Sequence, residues 1–386
     1  MRNAETLLRN MREHAASLAK DRGRRQRSRK LDVTDFASLR DLGLHLTTVP
    51  TSFGGYWEST GQSLRTLCEA YRILASADSS LALSASMHPA VLNLWRDADP
   101  PETDIDAWEE QRRQVFKTVV DGAWWGTIAS EPGSGGDMSK TRSVARRDGA
   151  MYRLTGEKHF GSGSGATSYI LTVGVTEGES EPAFFFLDLR DVPWDGSSGM
   201  KLTAEWDGHG MTSTNSHAFV FKDFPATRIA WAGPWRTLSA MAGGSGGIVF
   251  TSVIVGIVDT AMRYMRDHLM KRGPDDMRSY EKVEWVAAHR EAWLLQQALE
   301  GALQAFEKKG RAPHETTLAK SNIAVLAEAV LTRLCRISGG SAFSRHSPLG
   351  FWFEDVRAAG FLRPPWALTN DSLFSLSWSD GAAGFA

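Results

Sequence analysis

Apolar positions recur at helical spacing through the first quarter of the chain, give way to short β-prone runs, and return as long helical stripes. Residues 31–43 (LDVTDFASLRDLG) show helical spacing closed by Gly43, a C-cap residue. The stretch 63–77 puts Leu64, Leu67, Tyr71 and Leu74 on one face, and 79–95 is apolar at nearly every turn, as in a buried helix. From about Trp124 the texture changes. Runs at 143–145, 152–154, 168–175, 183–189 and 218–221 alternate with turns rich in Gly, Asp and Glu, the spacing of a β sandwich or barrel that ends near Pro225. Past Trp235, the segments 248–271, 280–308 and 316–337 predict three long helices suited to bundle packing and to burial against another subunit. The expected fold class is α+β, with an N-terminal helical domain over 1–122, a central β-domain over 123–232 and a C-terminal helical bundle over 233–386.

Composition excludes more than it selects. The 386 residues are 42% hydrophobic and 23% charged, and the formal net charge is -1, which gives no field favouring nucleic acid or an acidic membrane. Cys68 and Cys335 make no disulfide framework, and no His/Cys cluster has zinc spacing. The opening 30 residues lack the apolar core of a signal peptide, and no apolar run approaches the roughly 18 residues that span a bilayer. A cytoplasmic protein is expected. Residues 20–30 (KDRGRRQRSRK) hold seven basic side chains in eleven positions, read as a solvated helix end because no aromatics interleave them. The 14 tryptophans suit both a core and an aromatic ligand pocket.

Several motifs, in order, resemble those of the acyl-CoA dehydrogenase superfamily over some 300 residues. They are 42–55 (LGLHLTTVPTSFGG), 130–137 (SEPGSGGD), 155–164 (TGEKHFGSGS), 210–221 (GMTSTNSHAFVF), 337–343 (ISGGSAF) and 353–357 (FEDVR). The resemblance implies a flavin, FMN or FAD, bound between the β-domain and the bundle, with subunit contacts of a homotetramer completing the site. It implies that Ala129 and Ser130 meet the pyrimidine side of the ring, that Phe160 packs on it, and that Ser162 sits near the nitrogen that exchanges hydride. Gly339 and Gly340 fall in a further cofactor-side motif. Glycine-rich turns favour such close approach of main-chain N–H groups to a polar ring.

One departure changes the expected chemistry. Relatives remove a proton with a glutamate eight residues past the Asp of the 353–357 motif, and that count from Asp355 reaches Arg363. The alternative position for the acid falls at about Ala242. Glu354, Asp355 and Asp371 remain as stand-ins. The family's "R..FG" signature falls at His268 and Lys271, and PPWALTND replaces another FAD-touching stretch, which disfavours the adenine half. The pattern is similar to that of the superfamily's flavin monooxygenases of desulfurisation and N-hydroxylation type, which take reduced flavin from a separate reductase. In that reading His88 and Ser162 serve the chemistry, and Lys271 or Arg272 meets the flavin phosphate. Trp95, Gly136, Phe361, Arg363 and Trp366 line the substrate side, for a small apolar or aromatic ligand. The competing class is a dehydrogenase of acyl thioesters with a displaced base. A serine hydrolase is formally suggested by GGSGG at 243–247, but that elbow needs a preceding strand.

Overall fold

The computed structural model describes residues 4–242, 244–273 and 275–378. Six helices come first: α1 (Ala4–Ala19), α2 (Arg22–Arg27), α3 (Val33–Asp41), α4 (Thr60–Ala75), α5 (Ser79–Asp97) and α6 (Ile105–Val120). Seven strands follow: β1 (Trp125–Thr127), β2 (Val144–Asp148), β3 (Met151–Gly161), β4 (Tyr169–Thr176), β5 (Pro182–Asp188), β6 (Met200–Ala204) and β7 (His217–Arg228). The chain then runs through α7 (Trp235–Met241), α8 (Ser245–Arg272), α9 (Ser279–Lys309), α10 (Pro313–Ser338), α11 (Pro348–Phe361) and α12 (Trp366–Ser377).

The strand pairings close on themselves. Strand β4 pairs with β2, β2 with β3, β3 with β7, β7 with β5, and β5 with β4 again, so the sheet forms a barrel with β1 and β6 added alongside. Its interior is filled by alternate side chains such as Leu154, Phe185, Leu187, Phe219 and Phe221. Closure leaves no long open edge in a unit whose turns carry much glycine.

The helices before and after the barrel share one core. Leu39, Leu67, Tyr71 and Leu81 from the first part pack with Ile248, Val253, Leu295, Leu331 and Val356 from the last. Helix α8 sits at its centre. It is long and apolar enough to cross a membrane by length and composition, contrary to the sequence expectation, yet 78% of that apolar stretch is buried against its neighbours. Its apolarity therefore serves the bundle core.

Two buried charge clusters fix the joints. Arg25 bridges Asp35 of α3 at 2.5 Å and Asp78, the N-cap of α5, at 2.6 Å. Part of the basic run is thus folded inward rather than solvated, because two carboxylates wait for it. The second cluster lies under the glycine-rich turn 130–137. Lys158 of β3 is fully buried, with Nζ 2.5 Å from Glu131 Oε1 and 2.6 Å from the Val173 carbonyl. Glu131 also accepts from the Arg142 N–H at 2.7 Å and from the Thr141 and Ser143 hydroxyls. Burial alone would raise its pKa, but Lys158, Thr141 and the Arg142 N–H outweigh that and hold it at about 2.

Removing one partner of such a pair leaves an uncompensated charge, so Lys158→Met lowers stability by roughly 3–5 kcal/mol in urea unfolding. Because the folded pKa of Glu131 lies below its ordinary 4.5, its contribution is complete above about pH 4.5 and is lost as pH falls toward 2. Glu131→Gln flattens that part of the stability profile.

Candidate functional site

The turn 130–137 leaves β1 and returns toward β2, and its shape is set by glycine. Gly133, Gly135 and Gly136 have φ of 77°, 61° and 81°, the left-handed region that a side chain resists. At its start, Ser130 accepts the His159 N–H through its carbonyl at 2.8 Å, which seats the turn beside β3. No hydrogen bond from the Ser130 hydroxyl is made among the described residues, so that group is available to a ligand.

At the end of β3 the backbone turns out of the barrel. Phe160 takes φ 64°, strained for a bulky residue, and presents a ring that is 56% exposed. Trp206 meets it edge-on at 6.1 Å. Two residues on, the Ser162 hydroxyl lies 2.7 Å from the Ser216 hydroxyl, which lies 2.7 Å from that of Thr214. An exposed aromatic face, a row of hydroxyls and a free serine beside a glycine turn fit a planar polar heteroaromatic ring such as isoalloxazine. The stretch 212–216 was legible only as part of a motif; its hydroxyls act as a group because the loop folds back on β3. Trp206 carried no signal of its own.

The loop between β6 and β7 is held to the helices through Asp355. This buried carboxylate accepts from the Met211 N–H at 2.6 Å and from the Ser79 hydroxyl, joining the loop, α5 and α11. Burial raises its pKa to about 6, against the pull of those two donors. A carboxylate so enclosed does not serve as a base. Glu354 is paired with Arg357 at 2.9 Å, and Asp371 is exposed on α12. On the other side of the loop, His209, Thr212 and Glu354 wall a cleft of about 620 Å³ that also includes Arg29, Arg336 and Gly339.

Several expected residues fall elsewhere. His88 is completely buried, with Nε2 donating to the His45 carbonyl at 3.0 Å and Nδ1 accepting from the Trp125 N–H at 2.9 Å. Burial lowers its pKa to about 3, and with both nitrogens engaged by main chain it offers nothing to a flavin. Its role is to tie α5 to β1. Trp95 is likewise core, packed at 5.4 Å on Trp125 and donating to Gln111. Ala129 is buried in the same cluster. Trp366 closes α12 onto α11: a Cβ on Gly360 would stand 2.0 Å from its Nε1. Phe361 is 68% exposed at the end of α11. Arg272 pairs with Glu281 at 2.9 Å and Lys271 is exposed, both at the far end of a helix of 28 residues, roughly 40 Å long. Neither makes a hydrogen bond or ion pair with the residues around Phe160 or Ser162 among the described residues. Gly340 is exposed beside Gly339.

Gly136 and the Arg363 segment do come together. A Cβ on Gly136 would meet Pro365 Cγ at 3.0 Å, so the turn needs glycine there to admit the segment. Ala242 is buried at the end of α7. Of the formal hydrolase motif, Gly243 lies outside the described residues. Ser245 begins α8 directly after another helix, and its hydroxyl donates to Asp97 at 2.8 Å and accepts from Arg96 at 2.9 Å. Among the described residues a helix, not a strand, precedes Ser245, so the strand that a nucleophile elbow needs is absent.

Residues 126–224 match the family model of the acyl-CoA dehydrogenase middle domain. That segment belongs to the acyl-CoA dehydrogenase middle-domain family, and the chain as a whole is similar to members of the acyl-CoA dehydrogenase superfamily. It is 25% identical over 346 residues to putative acyl-CoA dehydrogenase YdbM of Bacillus subtilis (strain 168), covering 85% of this chain and 84% of that one. It is 28% identical over 361 residues to amino sugar nitrososynthase DnmZ of Streptomyces peucetius, covering 88% and 84%. Among solved structures, KijD3 in complex with FMN and dTDP-3-amino-2,3,6-trideoxy-4-keto-3-methyl-D-glucose shares the superfamily fold, with a TM-score of 0.81 at 20% identity and coverage of 98% and 95%.

The geometry separates Ser162 from His88 by experiment. Ser162→Ala removes one hydrogen-bonding group of roughly 0.5–1.5 kcal/mol and weakens flavin binding accordingly, with the melting temperature unchanged. His88→Gln does the reverse, lowering the melting temperature and leaving flavin affinity intact.

Proposed function

We propose that this protein is a flavin-dependent monooxygenase that takes up reduced FMN and transfers oxygen to a small apolar or aromatic substrate. One observation carries the reading: by the motif counts of the superfamily resemblance, a guanidinium at Arg363 and a methyl group at about Ala242 fall where carbon-acid chemistry keeps its base. Abstraction of a proton from carbon needs a positioned acceptor, and a protonated arginine has none. Oxygen transfer from a flavin needs instead a dry, hydrogen-bonding surface beside the ring. The Ser162–Ser216–Thr214 hydroxyl row supplies such a surface. The long match to an amino sugar nitrososynthase, a name that denotes placing oxygen on nitrogen, supports the same side.

When bound, the flavin supplies the two-electron and oxygen chemistry; the chain supplies position. Phe160 holds one face, the turn 130–137 and the Ser130 hydroxyl meet the polar edge, and the hydroxyl row orients groups at the reacting side. We further propose a homotetramer, in which exposed apolar side chains of α9 such as Val283, Val286 and Trp293 are covered by a partner. A separate flavin reductase would supply the electrons in the cytoplasm.

Dehydrogenation of an acyl thioester is the second reading, favoured by the match to YdbM. It would have to recruit Glu354, which is already paired with Arg357, or Asp371, which is exposed on α12.

The flavin-free protein is expected to bind FMN more tightly than FAD in equilibrium titrations. NADH alone should leave the bound flavin oxidised, NADH with a flavin reductase should reduce it, and admission of oxygen should restore it. Direct reduction by NADH, or a clear preference for FAD, would count against the oxygenase reading.

A further inference from the structure

Arg363 stands between α11 and α12. Its Nη1 is sealed from solvent with no hydrogen-bond acceptor, and the side chain forms no ion pair among the described residues. Its surroundings are positive, since Lys158 lies near enough for the two cations to repel. The acid beside Lys158 is Glu131, whose oxygens already accept from Lys158, the Arg142 N–H and two hydroxyls. None of these bonds goes to Arg363. Nor is the segment loosely attached: Lys320 Nζ donates to the Leu362 carbonyl at 2.6 Å and to that of Pro364, and Pro365 abuts Gly136 of the glycine turn. Burial draws the guanidinium pKa down only to about 10, so it stays charged at neutral pH.

Arg363 is half-buried, and a partly desolvated charge whose Nη1 has no acceptor is unfavourable until an anion joins it. We propose that Arg363 is the receptor for an anionic group on the substrate, a carboxylate or similar oxyanion, held by the guanidinium charge beside the turn 130–137 once the segment 362–365 shifts to admit it. The inference rests on the flavin reading above and narrows its substrate to an apolar or aromatic molecule that carries an acid group. Trp366, packed on Gly360, helps hold the loop that presents the arginine.

Benzoate and its uncharged counterpart benzamide are the probes. Titrated into the FMN-loaded protein and followed by perturbation of the flavin spectrum, benzoate should bind roughly 10- to 100-fold more tightly, the range of a charge-assisted hydrogen bond. Arg363→Met should abolish that preference and keep FMN affinity. The ligand-free variant should also melt above the natural protein, since an uncompensated charge has been removed. Equal binding of the two probes, or a preference that survives in Arg363→Met, overturns the proposal. So does a variant that loses affinity for FMN but not riboflavin, which would assign the arginine to the flavin phosphate. The same probes are read by melting shift on flavin-free protein. Failure of FMN to bind then overturns the flavin reading alone, while the anion preference is still measured.

Discussion

The buried pair between Lys158 and Glu131 is the constraint on which the site depends. It welds the glycine-rich turn to the barrel at a place where three of the turn's eight residues are glycine. Glycine supplies the left-handed backbone but no packing, so position must come from below. Glu131 gathers an ammonium, a main-chain N–H and two hydroxyls, and the ordinary cost of burying a carboxylate is offset by this full set of donors. With that anchor, Ser130 is seated beside β3 through its carbonyl, next to the strand end where Phe160 takes its strained conformation.

On this rigid floor the helices decide the chemistry. Asp355 draws α5, α11 and the loop before β7 together, and is consumed in doing so. The next segment brings Arg363 against the turn rather than an acid. A guanidinium offers no lone pair to accept a proton, and its charge favours a neighbouring anion. A fold by itself does not fix the reaction; on the proposed reading, the sign of this one side chain separates oxygen transfer from proton abstraction.

Much of the fold was legible because the hydrophobic period changes where the architecture changes. The three long helices after the barrel exceed their expected spans by only a few residues at each end. The helices Ala4–Ala19 and Ile105–Val120 were missed because their surfaces are highly charged, with burial confined to a narrow stripe. Strand β6 escaped because it is short and exposed at most positions. The site divided in the same way. Ser130, Phe160 and Ser162 sit in local motifs, and local motifs survive in sequence. His88 and Trp95 were misjudged because a buried histidine or tryptophan reads the same whether its polar atoms face a ligand or, as here, main-chain and side-chain partners. Glu131 and Lys158 were inside quoted motifs, but their pairing joins residues 27 apart and needed the fold.

The absence of a base can be measured without knowing the natural substrate. Butyryl-CoA, incubated anaerobically with the FMN-loaded protein in D2O, should keep its α-hydrogens when examined by NMR, and the flavin should remain oxidised. Wash-in of deuterium at the α-carbon, or bleaching of the flavin, would contradict the reading of Arg363 and return the protein to thioester desaturation.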